Sequence, residues 1–206
     1  MATGALNIDT TQLLSVAAAL GWASGLRLYA VVFLTGLAGL LGWMDLPQGL
    51  QVLSHPLMLA ASGVMFALEF FADKIPAIDT VWDLVHTAVR IPGGAALAAG
   101  VFGADEATWA TAAALLGGTL AATSHVAKAT TRAAANTLPE PFSNLALSLF
   151  GDGMVPLILW LSWTHPVALF AVLAVALIAM VVIICVLFRF LKALVRRVAP
   201  SSAAAG

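Results

Sequence analysis

From Val167 to Phe188 the chain is an unbroken run of apolar side chains. At 1.5 Å per residue a helix of that run spans the hydrocarbon core of a bilayer, about 30 Å thick. The rest of the sequence agrees with that solvent. Leu46 to Leu68 and Ala107 to Ala127 carry no charge, and Thr11 to Leu41 carries only Arg27. Charged residues make up 9% of the chain and hydrophobic ones 62%, with a mean hydropathy of +1.02. So few charges cannot cover a water-soluble globule. The composition excludes a nucleic-acid binder, which needs a basic face. The single cysteine, Cys185, excludes an internal disulfide.

These stretches predict an all-α polytopic transmembrane bundle of about six segments: 11–41, 55–74, 84–103, 108–128, 142–163 and 166–190. Segments three and five are expected to be broken or re-entrant. One opens with Pro92-Gly93-Gly94; the other contains Gly151-Asp152-Gly153 and Pro156. Backbone breaks at membrane depth need protein or a watery cavity to satisfy the freed groups. Simple spans with incidental Pro and Gly fit equally well. Two prolines make 137–143 an ordered turn or linker.

The basic residues set orientation. Lys74 and Arg90 flank one connection, Lys128 and Arg132 follow segment four, and Arg189, Lys192, Arg196 and Arg197 close the chain. The connections 42–54, 104–107 and 164–165 hold no Lys or Arg. Six crossings with both ends in the cytoplasm put every basic residue except Arg27 inside. The expected organisation is one transmembrane domain over 1–206, with pseudo-repeats at 11–103 and 108–190. Its tail, 191–206, reads as basic and then flexible, on the cytoplasmic side. Neither a signal peptide nor a lipidation motif is expected.

Helical periodicity then assigns faces. Gly21, Ser24, Gly25, Thr35, Gly36, Gly39 and Gly42 form one stripe of segment one. Small residues let helices approach closely, so Gly21, Ser24, Gly25, Gly36 and Gly39 are candidate packing positions, within the chain or in a homo-oligomer. Arg27 lies beside the stripe near mid-segment. It requires a carboxylate or a watery cavity, since Arg at a helix centre costs about 2.5–3.5 kcal/mol to insert. Segment two offers partners on one face: His55, Ser62, Glu69 and Asp73. Glu69 is expected to be embedded, Asp73 interfacial and Lys74 solvated.

Asp79, Asp83, His86 and Arg90 share a narrow face of an amphipathic stretch that ends at the Pro92 break. Such a helix lies at the interface or enters beside a cavity, and Asp79 can cap it. The Asp79, Asp83 and His86 spacing suits a divalent metal or a solvated face, and no fourth ligand is fixed. In segment four, Gly118, His125, Lys128, Arg132 and Asn136 share a face, at a depth similar to the acidic stripe of segment two. Mutual pairing explains both stripes; lipid phosphates are the other use for Lys128 and Arg132. Asp152, between glycines, is a further candidate, either as a ligand at a broken helix or within a tight turn. Ala23 to Arg27 and Thr123 to Lys128 each put Ser ahead of a basic residue, as an inverted repeat would. The pairs His55-Pro56 and His165-Pro166 suggest a different register.

Two strings carry a family resemblance: Ala23-Ser-Gly-Leu-Arg-Leu-Tyr-Ala30, and Glu69-Phe-Phe-Ala-Asp-Lys-Ile-Pro-Ala-Ile-Asp-Thr-Val-Trp-Asp83 followed by His86-Thr-Ala-Val-Arg90. Over roughly residues 12–190 the chain resembles the bacterial membrane family called domain of unknown function 4126. The resemblance implies a bacterial inner-membrane protein. It also implies an acidic pair near Asp152, of which only Asp152 is present. It implies no activity.

Three functions compete. The leading one is a small transporter or channel for a proton-coupled ion or a small polar or anionic solute. Its site would be Arg27, Glu69, Asp73, Asp83, His86, His125, Lys128 and Asp152, with Glu69 taking a proton or cation and Arg27 as its counter-charge. The second is a non-transporting scaffold or lipid-binding protein. The third is an intramembrane enzyme, for which no nucleophile elbow, zinc motif or phosphate loop is visible. No cofactor and no nucleic-acid partner are expected; membrane lipids are.

Overall fold

The computed structural model describes residues 9–75, 78–137 and 142–198. Among them the chain forms six α-helices and one short 3-10 helix, with no strand. The helices are α1 (Thr10–Leu40), α2 (Pro56–Ala72), α3 (Ile78–Gly100), α4 (Ala107–Ala135), α5 (Phe142–Thr164) and α6 (Pro166–Val198); the 3-10 helix, Gln48–Ser54, precedes α2.

Local sequence explains several of the boundaries. Pro56 occupies the first turn of α2, where its missing N–H costs nothing, and the His55 ring accepts a hydrogen bond from the Leu57 amide at 3.2 Å. Pro166 opens α6 in the same way. Gly42 ends the turn after α1 at a φ of +68°, a conformation that glycine adopts without penalty. The prolines at 139 and 141 and the last eight residues of the tail lie outside the described residues, as does Pro76.

α1 is the axis of the bundle. Within its best apolar window 83% of residues are buried, against 11% for α6, which lies on the outside. Around α1 the packing depends on small residues. A Cβ on Gly21 would lie 2.5 Å from the Gly117 Cα of α4, and one on Gly94 of α3 would lie 2.7 Å from the Ala121 Cβ. Gly25 abuts Ala121 and Ser124, Gly36 abuts Leu53, and Gly39 abuts Leu46 and Ser54. The glycine stripe is therefore filled within one chain, by α4 and by the segment around the 3-10 helix. Gly42 meets no neighbour.

Three helices, α1, α5 and α6, are long and apolar enough to cross a membrane, fewer than the six segments that charge spacing suggests. The 3-10 helix and α2, bent by 70° between them, form a fourth if counted as one broken span. α3 and α4 are long as well, at 23 and 29 residues, but they are not apolar enough to count, and between them they carry five charged residues. α3 turns that charge inward. Asp79, Asp83, His86 and Arg90 are buried, whereas Val81, Leu84 and Val85 are 62%, 75% and 62% exposed. Its outer surface is that of a lipid-facing helix even though its average composition is not.

Two local expectations change. α3 and α5 are not broken: α3 runs continuously through Pro92, and α5 through Gly151, Asp152, Gly153 and Pro156. The amphipathic stretch from Asp79 is the first half of α3, and Asp79 lies inside its first turn rather than capping it. The break falls instead in α1, where Arg27 adopts φ −151° and ψ 83°.

A buried ion network at the break in α1

The break at Arg27 is held from α4. Lys128 Nζ donates to the Leu26 carbonyl at 3.0 Å, immediately before the break. A turn earlier, Ser124 Oγ donates to the Trp22 carbonyl at 2.7 Å. Backbone carbonyls at a membrane-depth kink need such donors. The two strings that each place Ser ahead of a basic residue thus meet face to face here.

Arg27 itself is 1% exposed, and each guanidinium nitrogen lies close to an oxygen. Nη1 lies 2.8 Å from Asp73 Oδ2, Nε lies 2.7 Å from Asp152 Oδ1, and Nη2 donates to the Ser148 hydroxyl at 2.9 Å. Asp73 is the first hub. Its Oδ2 also takes Lys128 at 3.0 Å, and its Oδ1 takes Arg132 at 3.1 Å. The second hub is Arg90, with Nη2 2.7 Å from Glu69 Oε1 and Nη1 2.5 Å from Asp83 Oδ1. Lys128 joins the hubs, because it also lies 3.1 Å from Asp83 Oδ1. The ammonium donates to the Leu26 carbonyl and to Asp73 Oδ2, and its contact with Asp83 is an ion pair.

The network extends at its edges. Lys74 lies 3.0 Å from Asp152 Oδ2 and 3.1 Å over the Phe70 ring. Arg132 also pairs with Asp79 at 3.5 Å. Arg27, Lys74, Arg90, Lys128 and Arg132 thus face Glu69, Asp73, Asp79, Asp83 and Asp152, five cations against five carboxylates. The cluster is formally neutral. That balance matters, because an uncompensated charge in this surrounding would cost several kcal/mol.

The two histidines differ. Arg90 Nη1 approaches His125 Nδ1 at 3.3 Å, and a guanidinium can only donate, so Nδ1 is the acceptor. Nε2 then carries the proton and donates to Thr87 Oγ1 at 2.7 Å; the Thr87 hydroxyl in turn donates to the Asp83 carbonyl. His86 instead stacks on Trp82, with ring centroids 4.2 Å apart, and meets the Tyr29 ring edge-on. Its Nδ1 contacts the Trp82 carbonyl. It stands beside the network rather than in it.

Arg27, Glu69, Asp73, Asp83, His125, Lys128 and Asp152 are thus brought together as the sequence faces suggest. The pairing is different. Glu69 is the partner of Arg90, and Arg27 belongs to Asp73 and Asp152. Asp73 is fully buried within the bundle, and Lys74 is ion-paired rather than solvated. Arg90 and Arg132 are as central as any candidate; their shared faces with Asp83 and with Lys128 were the signal. Asp79, Asp83 and His86 do not form a metal site: among the described residues no three His, Cys, Asp or Glu side chains converge on one point.

A cavity of about 160 Å³ lies against the network. Arg27, Asp73, Lys128 and Arg132 line it together with Phe150, Met180 and Ile183, and its surface is almost wholly apolar.

The chain belongs to the family catalogued as domain of unknown function 4126, whose pattern matches residues 14–186. Neither a curated protein nor a solved structure matches it.

Proposed function

We propose that this member of the domain of unknown function 4126 family is a small transporter or channel. It would carry a proton-coupled ion or a small polar or anionic solute through the charged cluster. The observation that carries this reading is the non-helical backbone at Arg27, set inside a buried ion network beside a cavity. Ionisable groups at membrane depth are costly, and they mark ion or proton paths by default. Helix breaks at such depth are typical of substrate sites in transporters. In this reading both termini are cytoplasmic, the membrane is the bacterial inner membrane, and the cluster occupies the cytoplasmic half.

The test is flux in proteoliposomes, with a pH-sensitive dye inside and a panel of inorganic ions and small anions outside. Arg27→Ala and Glu69→Gln should each reduce a specific flux about tenfold or more, the scale of one lost charge-assisted contact. Equal flux in wild type and both variants removes the cluster from the mechanism.

One observation favours a second reading, a non-transporting scaffold. The five cations and five carboxylates of the cluster balance one another in charge. In that case the two substitutions impair folding, and no protein-dependent flux exists to lose.

A further inference from the structure

Two cations of the network sit side by side against α5, one inside and one at the rim. Ser148 and Asp152, one helical turn apart, each meet both of them. Arg27 donates to the Ser148 hydroxyl at 2.9 Å and lies 2.7 Å from Asp152 Oδ1. Lys74 donates to the same hydroxyl at 3.3 Å and to Asp152 Oδ2 at 3.0 Å. Their burial differs. The Arg27 side chain is 1% exposed, whereas those of Lys74 and Asp152 are 19% and 17% exposed, more than any other member of the network.

The surroundings of the Lys74 ammonium form a complete cation site. Besides meeting Ser148 and Asp152, Nζ donates to the Phe70 carbonyl at 3.2 Å and stands 3.1 Å over the centre of the Phe70 ring. The Lys74 amide bonds Phe71, so the Phe70 carbonyl, at the negative end of α2, is turned to the ammonium. One carboxylate, one hydroxyl, one carbonyl and one aromatic face thus surround one positive charge. All four meet the ammonium head, so none requires a lysine stem. That stem is flexible and lies at the rim, where it can carry the head into water. Partly exposed ion pairs are held by little energy, whereas interior pairs are costly to break. The contact between Lys74 and Asp152 is therefore the one in the network that opens first.

We propose that this is a binding site for a monovalent cation of ammonium or potassium size, which Lys74 fills as a tethered plug and vacates when its ammonium swings into water. The exchange is one charge for one, so the balance of cations against carboxylates is kept. Arg27 stays on Asp152 Oδ1 and holds the carboxylate in place. The site stands whether or not the network carries a solute, and neither readout below is a flux.

Lysine accessibility tests the exchange in the full chain in detergent. The chain has three lysines, Lys74, Lys128 and Lys192. Amine labelling is mapped by mass spectrometry in potassium chloride and, at equal ionic strength, in choline chloride, with Lys192 as the reference. Potassium should raise the relative labelling of Lys74 about fivefold, the scale of releasing one surface ion pair. Asp152→Asn should abolish the difference between the two salts. Thermal unfolding tests the vacated site. Lys74→Ala leaves Asp152 without its outer cation, and potassium or ammonium, but not choline, should raise the melting temperature of that variant by about 2–4 °C, the size of one regained contact in a chain of this length. Wild type should not shift. Equal labelling of Lys74 in both salts overturns the proposal and makes Lys74 a fixed structural contact. A folded Lys74→Ala that ignores potassium overturns it too. So does choline acting as well as potassium, which reduces the effect to ionic strength. If Lys74→Ala folds in neither salt, the labelling decides alone.

Discussion

Gly117 and Lys128 lie about three turns apart on α4, and both fasten α1, by opposite means. At Gly117 two backbones touch, and there is no room for a single added carbon. At Lys128 one ammonium reaches a carbonyl of α1, a carboxylate of α2 and a carboxylate of α3. The glycine seam is pairwise and steric. The ion network is many-bodied, and each member depends on charges it does not touch. Lipid gives little hydrophobic reward for helix association, so close contact and polar pairing must share the task. This molecule places them at different depths on the same helix.

The comparison is open to measurement through unfolding in detergent. The largest loss is expected for Asp73→Asn, which strips a shared carboxylate from Arg27, Lys128 and Arg132 and should cost about 3–5 kcal/mol. If Gly21→Ala costs as much or more, the seam rather than the network dominates. Gly21→Ala itself should cost about 1–3 kcal/mol, as overpacking in a closed contact does. A double-mutant cycle sharpens the contrast. Glu69→Gln with Arg90→Gln should couple by about 0.5–3 kcal/mol, whereas Gly21→Ala with Glu69→Gln should add to within about 0.5 kcal/mol. The smallest effect, about 1 kcal/mol, is expected for Ser124→Ala, which removes one hydrogen bond to α1.

Much of this was legible from spacing. The helices follow the expected segments to within a few residues, except at the start of α3 and the ends of α4 and α6, because apolar length is set by the bilayer and each chain segment must meet it alone. The pairing of Asp73 with Lys128 and Arg132 was legible too, since shared faces at shared depth leave few alternatives. The partners of Glu69 and Arg27 were not. Periodicity says which residues share a face of one helix, but not how two helices are rotated toward each other. That rotation gives Glu69 to Arg90. The break was misplaced for a related reason. Proline and glycine mark where a helix can break, and in α3 and α5 it does not. Arg27 has no proline beside it; its break is stabilised by Lys128 and Ser124, a hundred residues later in the chain.

The inward-facing charges of α3 also bear on how the protein is made. Up to the end of α3, the members of the network are Arg27, Lys74 and Arg90 against Glu69, Asp73, Asp79 and Asp83. Lys128 and Arg132 have not yet appeared, and Asp73 and Asp79 lack cations they will later share. α3 does not meet the length-and-hydropathy criterion for crossing on its own. The charge of the first half is therefore balanced only when the second half is in place: α4 brings Lys128 and Arg132, and α5 brings Asp152 to Arg27 and Lys74.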